Sequence, residues 1–144
     1  MGYFTIFELL VSLILASSSP FRKAILEKLG VSFITVSPNI DETRKTAETP
    51  YDLVYRLAEE KAKEVAKTHS GLIIASDQVA TLDSGNDEGD EILNKPLTHQ
   101  NAFAQLQKSS GRTVTFLTSI ALLNTETGIL QNHVEFFRVF FKSL

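Results

Sequence analysis

Cysteine is absent from the 144 residues of the sequence. Without a thiol the chain can form no disulfide, no thiolate zinc site and no iron–sulfur cluster, and it has no cysteine nucleophile. Histidine is scarce as well, since His69, His99 and His133 are spread widely along the chain. This scarcity argues against a metal centre built from histidine ligands.

An excess of positive charge is also missing, because 14 basic residues face 17 acidic ones and the net charge is −3. A protein that wraps duplex DNA needs a broad positive field, so we expect no nucleic-acid partner. No apolar run is long enough to cross a membrane. The apolar segment 3–16 has no lysine or arginine before it and contains Glu8, unlike a secretory signal peptide. These absences predict a cytoplasmic protein without a membrane partner.

The remaining composition is that of an ordinary soluble domain, with 43% hydrophobic and 22% charged residues. A chain of this length buries roughly 70% of its unfolded surface and needs no cross-links to fold. We interpret residues 1–12 as an N-terminal extension and residues 13–144 as one domain, whose first strand begins at Leu13.

Apolar patterns and turn residues divide this domain into strands and helices. A serine or threonine before a proline marks the start of two helices, at Ser19-Pro20 and Thr49-Pro50. Strands that alternate with helices, followed by a late hairpin, predict an α/β fold with a mixed sheet flanked by helices. The acidic segment 83–91 indicates a solvated loop. The predicted strands are 13–16, 31–37, 72–82, 92–96, 113–123 and 129–141, and the predicted helices are 21–29, 49–68 and 98–108.

The segment Ser17–Lys23 joins the first strand to the first helix through small residues. A helix N-terminus presents unpaired N–H groups and a partial positive charge, which suits an anion. The first turn normally favours acidic residues, yet this one carries Arg22 and Lys23. Two interpretations stay open from this segment alone: a phosphate site, or a helix cap followed by two solvated bases.

One cation falls within the apolar stripe of the second predicted helix. A lysine in such a place must extend to solvent, pair with an acid or meet a ligand. Position alone favours the first outcome, in which the aliphatic stem is covered and the ammonium reaches water. The cation is Lys61, and the stripe consists of Val54, Leu57, Ala58, Ala62 and Val65.

Asp77 interrupts the apolar strand 72–82. A carboxylate that is buried without a partner costs several kcal/mol or stays protonated. We therefore expect Asp77 to have partners and to lie where the strand leaves the sheet. Ligands of open α/β sheets bind at the carboxyl ends of strands, so a functional role is favoured over a structural ion pair.

Bases at a helix end, an inward lysine and a strand carboxylate form a set suited to hydrolysis of a phosphoanhydride. Cations neutralise the phosphates, an acid can hold a divalent metal, and a carboxylate can align the attacking water. Short motifs containing these residues follow one another in order, and with them the chain from about Leu13 to Leu144 resembles the Maf family of nucleotide pyrophosphatases, the septum-inhibitor-like proteins. The motifs are Leu15-Ala16-Ser17-Ser18-Ser19-Pro20-Phe21-Arg22-Lys23, Asp41-Glu42-Thr43, Glu59-Glu60-Lys61-Ala62, Ser76-Asp77-Gln78-Val79 and Asn94-Lys95-Pro96.

The resemblance implies a twisted sheet like that of inosine triphosphatases and a defined reaction. Family members cleave a nucleoside triphosphate to the monophosphate and pyrophosphate with a divalent metal, for which we expect Mg or Mn. The resemblance makes Asp77 the proton acceptor for the attacking water, and it assigns Glu42, with Asp77, to the metal. The residues it assigns to the phosphates are Ser17, Ser19, Arg22, Lys61 and Lys95.

Two further positions resemble the branch of the family that acts on 7-methyl-GTP, namely Phe21 and Gln78. A methylated guanine is cationic, so an aromatic face at Phe21 can stack on it. The amide of Gln78 can donate to and accept from a base edge. The alternative for Phe21 is that it is a core residue of the first helical turn.

The chain departs from the resembled family at both ends. Residues 1–12 exceed the usual few residues before the first strand, and the chain stops at Leu144, before a tyrosine-containing helix, a glycine-rich segment and a final helix. We therefore expect a truncated domain in which the apolar row Phe137, Val139 and Phe141 is poorly covered, so that a homodimer is possible. Two alternatives to an active enzyme stay open: a catalytically impaired nucleotide-binding regulator related to cell division, and an inactive remnant.

Overall fold

A mixed β-sheet forms the centre of the structure, a computed structural model that describes residues 12–85 and 90–144. The predicted N-terminal extension, apart from Ser12, and the middle of the predicted acidic loop lie outside these ranges. In the described residues the strands are β1 (Leu13–Leu15), β2 (Ile34–Thr35), β3 (Leu72–Leu82), β4 (Glu91–Leu93), β5 (Thr113–Asn124) and β6 (Leu130–Phe140). The helices are α1 (Pro20–Glu27), α2 (Pro50–Ala66) and α3 (His99–Ser109).

The strand order is β2-β1-β3-β5-β6, with β4 attached to β3. Strands β1, β2 and β3 are parallel, whereas β4, β5 and β6 are antiparallel to their neighbours. This arrangement confirms the predicted mixed sheet and the late hairpin. The strand predicted at 31–37 is wrong in length, because β2 lies at the sheet edge against the short β1 and pairs through only Ile34 and Thr35.

Each helix begins where a hydroxyl satisfies an exposed backbone N–H group. Ser19 accepts from the Arg22 N–H at 3.3 Å, and Thr49 accepts from the Asp52 N–H at 3.1 Å. Proline follows both caps, where its missing N–H costs nothing. The capping signals in the sequence therefore place the starts of α1 and α2 correctly.

Helix α2 packs its apolar stripe on β3 and β5 and contributes to the core. The buried side chains of the stripe include Val54, Leu57, Ala58, Ala62 and Val65. Complete burial of one such valine or leucine contributes about 1.5–3 kcal/mol. The core fixes the angle and height of α2 above the sheet, and so fixes the place of any polar side chain within the stripe.

The edge of β3 that faces away from β5 is paired in two separate stretches. It pairs with β1 from Leu72 to Ile74 and with β4 from Ala80 to Leu82. Among the described residues no strand pairs with the intervening stretch, and Asp77 lies at its middle. The prediction that the strand leaves the sheet at Asp77 is wrong, because β5 pairs with all of β3. The neighbouring strand β1 ends there instead.

The apolar row predicted on the last strand is covered unevenly. Phe137 is 67% exposed, whereas Val139 and Phe141 are partly buried. Within residues 12–85 and 90–144, no helix combines the length and the apolar character that a membrane span requires.

Gly71 precedes β3 and has a φ of +137°, a conformation that side chains rarely adopt. A Cβ atom there would collide with the backbone carbonyl of Ser12, which accepts the Leu72 N–H at 2.8 Å. We expect Gly71→Ala to lower the free energy of unfolding by about 3 kcal/mol, measured by urea denaturation. Gly30→Ala is the control, since Gly30 also has positive φ but open space around it, and it should cost only about 1 kcal/mol. Equal losses in the two variants would contradict the steric explanation.

Candidate active site

An open cavity of about 1140 Å³ lies at the unpaired stretch of β3. Its walls come from α1, α2, α3, β3, β4, the start of β5 and the loop 41–44. The cavity brings together six residues that the sequence singles out and that are far apart along the chain. They are Arg22, Glu42, Lys61, Asp77, Gln78 and Lys95.

Lys61 is 7% exposed and forms ion pairs with two carboxylates. Its Nζ lies 2.7 Å from Asp77 Oδ1 and 2.7 Å from Glu42 Oε1. The expectation that the ammonium reaches water is therefore wrong, since acids from the sheet and from the loop meet it at the helix surface. The alternative of pairing applies, and Asp77 has the partner that its burial requires.

The carboxyl group of Asp77 is mostly buried, and this burial raises its pKa above the usual value near 3.8. The negative charge of Glu42 raises the pKa further, while the hydrogen bond and charge of Lys61 and the charge of Arg22 lower it. Burial dominates because it penalises the ionised form most. A carboxylate with a raised pKa is a better proton acceptor than a free aspartate.

Ser119 fixes the backbone of Asp77 from the neighbouring strand. This serine is fully buried, and its Oγ accepts the Asp77 N–H at 3.1 Å. The same Oγ donates to the carbonyl of Val54 on α2 at 2.6 Å. One hydroxyl thus joins the strand that carries Asp77 to the helix that carries Lys61. A serine among the inward apolar positions of β5 is the signal that sequence reasoning missed.

The first turn of α1 gives its two bases different surroundings. Arg22 lines the cavity and lowers the pKa of Asp77, whereas Lys23 is exposed and its Nζ lies 4.0 Å from Glu27 Oε1. Arg22 therefore faces the cavity, whereas Lys23 is solvated. Ser17 is buried and accepts the Ser19 N–H at 3.0 Å, which shapes the turn beside the cavity rather than its wall.

The two positions that the family resemblance links to substrate choice, Phe21 and Gln78, are solvent-exposed. Phe21 is 80% exposed and is not a cavity wall, so the alternative that places it in the core is wrong. Gln78 is among the residues that line the cavity, and its Nε2 donates to Thr118 Oγ1 at 2.7 Å. Lys95, also exposed, lines the cavity beyond β4.

Glu42 and Asp77 are two carboxylates of the cavity that both lie against Lys61 and could serve a divalent metal. The described residues contain no group of three or more His, Cys, Asp or Glu side chains that could hold a metal. Two carboxylates nevertheless fit magnesium, which proteins commonly bind through one or two carboxylates together with substrate phosphates. The donor set therefore suits a metal that arrives with a nucleotide.

Comparison with known proteins gives the chain a clear set of relatives. A family model described as Maf-like protein matches residues 12–144. The chain is 46% identical over 132 residues to a protein named 7-methyl-GTP pyrophosphatase from Vibrio vulnificus (strain CMCP6). The match covers 92% of this chain and 65% of that protein, so the chain spans slightly less than two thirds of its relative's length.

Solved structures share the fold at low sequence identity. The Ham1 protein of Staphylococcus aureus matches with a TM-score of 0.58 and 13% identity, covering 90% of this chain and 71% of that one. A HAM1 protein from Coxiella burnetii matches with a TM-score of 0.51 and 17% identity, covering 88% of this chain and 72% of that one. These likenesses confirm the predicted inosine-triphosphatase-like architecture.

The raised pKa of Asp77 makes stability depend on pH in a defined direction. A carboxyl whose pKa is higher in the folded state favours folding below the unfolded pKa, and this contribution is lost as the pH rises through the folded pKa. We expect the free energy of unfolding of the wild type, minus that of Asp77→Asn, to fall from about pH 3 toward neutrality. Urea denaturation of both proteins across this range measures the difference. A difference that grows with pH contradicts the raised pKa.

Proposed function

Because the chain belongs to the Maf-like protein family, we propose that it is a nucleotide pyrophosphatase. The proposed reaction cleaves a nucleoside triphosphate to the monophosphate and pyrophosphate. The observation that supports it most is the buried contact between Lys61 and Asp77 in a cavity that also contains Arg22 and Lys95. The identity to a relative named 7-methyl-GTP pyrophosphatase points to the same reaction class.

In the proposed mechanism Asp77 accepts the proton of the attacking water. The water oxygen forms a bond to the α-phosphorus. The bond from this phosphorus to the oxygen that bridges to the β-phosphate breaks, and its electron pair leaves with pyrophosphate. The raised pKa suits Asp77 to this role, since the proton passes to it more readily than to a free aspartate. The bonds through Ser119 keep the backbone of Asp77 in place during the transfer.

The cations of the cavity would bind the phosphates. The Lys61 ammonium has three N–H groups, and the contacts to Asp77 and Glu42 use two of them. The third can donate to a phosphate oxygen, so one lysine can orient both the base and the substrate. Arg22 adds a planar guanidinium beside the helix N-terminus that Ser19 caps, and Lys95 supplies positive charge from the loop after β4.

We propose Glu42 and Asp77 as the residues that would hold the divalent metal, magnesium or manganese. Such an ion, when bound, neutralises phosphate charge and favours departure of pyrophosphate. The cations of the chain would orient the nucleotide, and Asp77 would keep a proton acceptor beside the water.

For the substrate we propose a modified guanine nucleotide such as 7-methyl-GTP. The exposed ring of Phe21 is available to stack on a cationic base. Since the Gln78 Nε2 is engaged with Thr118, its Oε1 remains as the acceptor for an N–H group of the base.

The homodimer and the cytoplasmic location expected from the sequence are further proposals, and sedimentation velocity checks the first.

The first test is pyrophosphate release from 7-methyl-GTP, GTP, dTTP, UTP and CTP, with magnesium and with manganese. We expect Asp77→Asn to lose at least about a hundredfold in kcat, because the proton acceptor is removed. Asp52→Asn is the matched control, since Asp52 is an exposed residue of the first turn of α2. It should retain the activity of the wild type.

Full activity of Asp77→Asn would refute the proposed base. A folded wild type that releases no pyrophosphate would refute the enzyme, and a rise in its Tm with nucleotide would then identify a binding protein, because a ligand that binds only the folded state stabilises it.

Substrate choice provides a second test. We expect Phe21→Ala to lower the preference for 7-methyl-GTP over GTP by roughly two- to fivefold, the size of an exposed cation–π contact. Thermal stability should hardly change, since Phe21 is exposed. Phe103→Ala is the control, because Phe103 is 57% exposed and lies on α3, a helix that carries none of the proposed phosphate ligands. The ratio of kcat/KM values for the two nucleotides measures the effect, and an unchanged ratio in Phe21→Ala would exclude stacking.

A further inference from the structure

Arg56 joins helix α2 to the loop 41–48 by a two-pronged ion pair. Its Nε donates to Glu48 Oε2 at 2.6 Å, and its Nη2 donates to Glu48 Oε1 at 2.8 Å. The Arg56 and Glu48 side chains are 17% and 8% exposed. The pairing holds the pKa of Glu48 down to about 2, so this carboxylate remains ionised across the neutral range. Paired contacts of this geometry are stronger than single ones and fix direction as well as distance.

The guanidinium also reaches the loop beside Glu42. Arg56 Nη2 donates to the carbonyl of Thr43 at 3.2 Å, and Nη1 donates to Glu60 Oε2 at 3.0 Å. Glu60 lies one turn further along α2 and holds the guanidinium against the helix. The peptide that follows Glu42 is therefore tied to a side chain whose own orientation is fixed.

Glu48 in turn organises the loop from within. Its Oε1 accepts the Lys45 N–H at 3.1 Å, and its backbone carbonyl accepts from Arg44 Nε at 2.8 Å. At the other end of the loop, Asp41 accepts the Thr43 N–H at 2.9 Å. These local bonds give the loop a shape, and the contacts from Arg56 help to attach that shape to α2.

Glu42 itself has little burial to hold it in place. Its side chain is 58% exposed, yet its Oε1 lies 2.7 Å from the Nζ of Lys61. Lys61 follows Arg56 by five residues, or about 7.5 Å along the helix axis. Helix α2 thus contacts the loop at two points, through Lys61 at Glu42 and through Arg56 at Thr43 and Glu48. Arg56 makes the contacts that lie outside the cavity.

We propose that Arg56 is a positioning residue that acts through Glu42, by fixing the loop 41–48 on α2 so that the Glu42 carboxylate stays over the cavity. The proposal rests on the proposed function for what Glu42 does there, whereas the attachment of the loop is independent of any activity. If Arg56 served only stability, its substitution would lower the Tm, and its effect on activity would not depend on Glu42.

Limited trypsin digestion of the native protein tests the attachment, because Arg44 and Lys45 lie in the loop. We expect Arg56→Gln to increase the rate of cleavage after these two residues by about tenfold, while the rest of the chain stays resistant. Lys63→Gln is the matched control, since Lys63 is an exposed cation of α2 whose partner is Glu59 on the same helix. It should leave loop cleavage at the wild-type rate. A loop in Arg56→Gln as resistant as that of the wild type overturns the proposal.

A double-mutant cycle tests whether Arg56 acts through Glu42. We expect Arg56→Gln to lower kcat/KM for the nucleotide by about tenfold in the wild type but by less than about twofold in Glu42→Gln, because the group it positions is then already lost. Equal losses in both backgrounds would show a general structural effect and overturn the proposal. If the wild type turns over no nucleotide, the proposed function fails, and the digestion alone decides whether Arg56 holds the loop.

Discussion

The side chain of Lys61 is almost entirely removed from water. Its ammonium lies 2.7 Å from the carboxylate of Glu42 and 2.7 Å from that of Asp77. A buried charge needs this compensation, since removal of one partner leaves an uncompensated charge in the interior. The three groups belong to a helix, a strand and a loop. Their contact is therefore possible only when α2 sits at the right height on the sheet and the loop 41–48 folds back over it. The apolar core supplies the first condition, and the Arg56–Glu48 pair supplies the second.

The sheet makes room for this contact by leaving one stretch of β3 without a partner on one side. Strand β1 has only three residues and stops opposite Ile74, and β4 begins opposite Leu82 and ends opposite Ala80. A longer β1 would cover the edge where Asp77 lies. Because β5 pairs with the whole of β3, the gap does not loosen the strand, and Ser119 adds a side-chain bond at that point. The site thus combines an open edge with a rigid backbone, which favours a reacting group of fixed geometry.

Sequence reasoning succeeded where a residue conflicts with its local pattern. Lys61 and Asp77 stand out because each is charged within an apolar repeat. The helix starts at Ser19 and Thr49 are readable because a capping residue and the proline after it are neighbours in the sequence. It failed where the meaning of a residue depends on packing at long range. Arg56 and Glu48 look like ordinary solvated charges on a helix and in a loop, and only the folded loop brings them together. The length of β2 could not be read either, since the extent of pairing depends on neighbours from other parts of the chain.

The charge balance of the cavity supports a role for a metal more directly than the carboxylates alone. Its lining contains the bases Arg22, Arg44, Lys61 and Lys95 and the acids Glu42, Asp77, Asp90 and Glu91, so their formal charges cancel. A triphosphate carries several negative charges, and a neutral cavity cannot offset them although individual bases can contact individual oxygens. A divalent cation at the proposed ligands Glu42 and Asp77 would offset part of the negative charge of the triphosphate. The balance of charge limits self-repulsion among the lining side chains, and under the proposed function an incoming ion would make the site more attractive to the nucleotide.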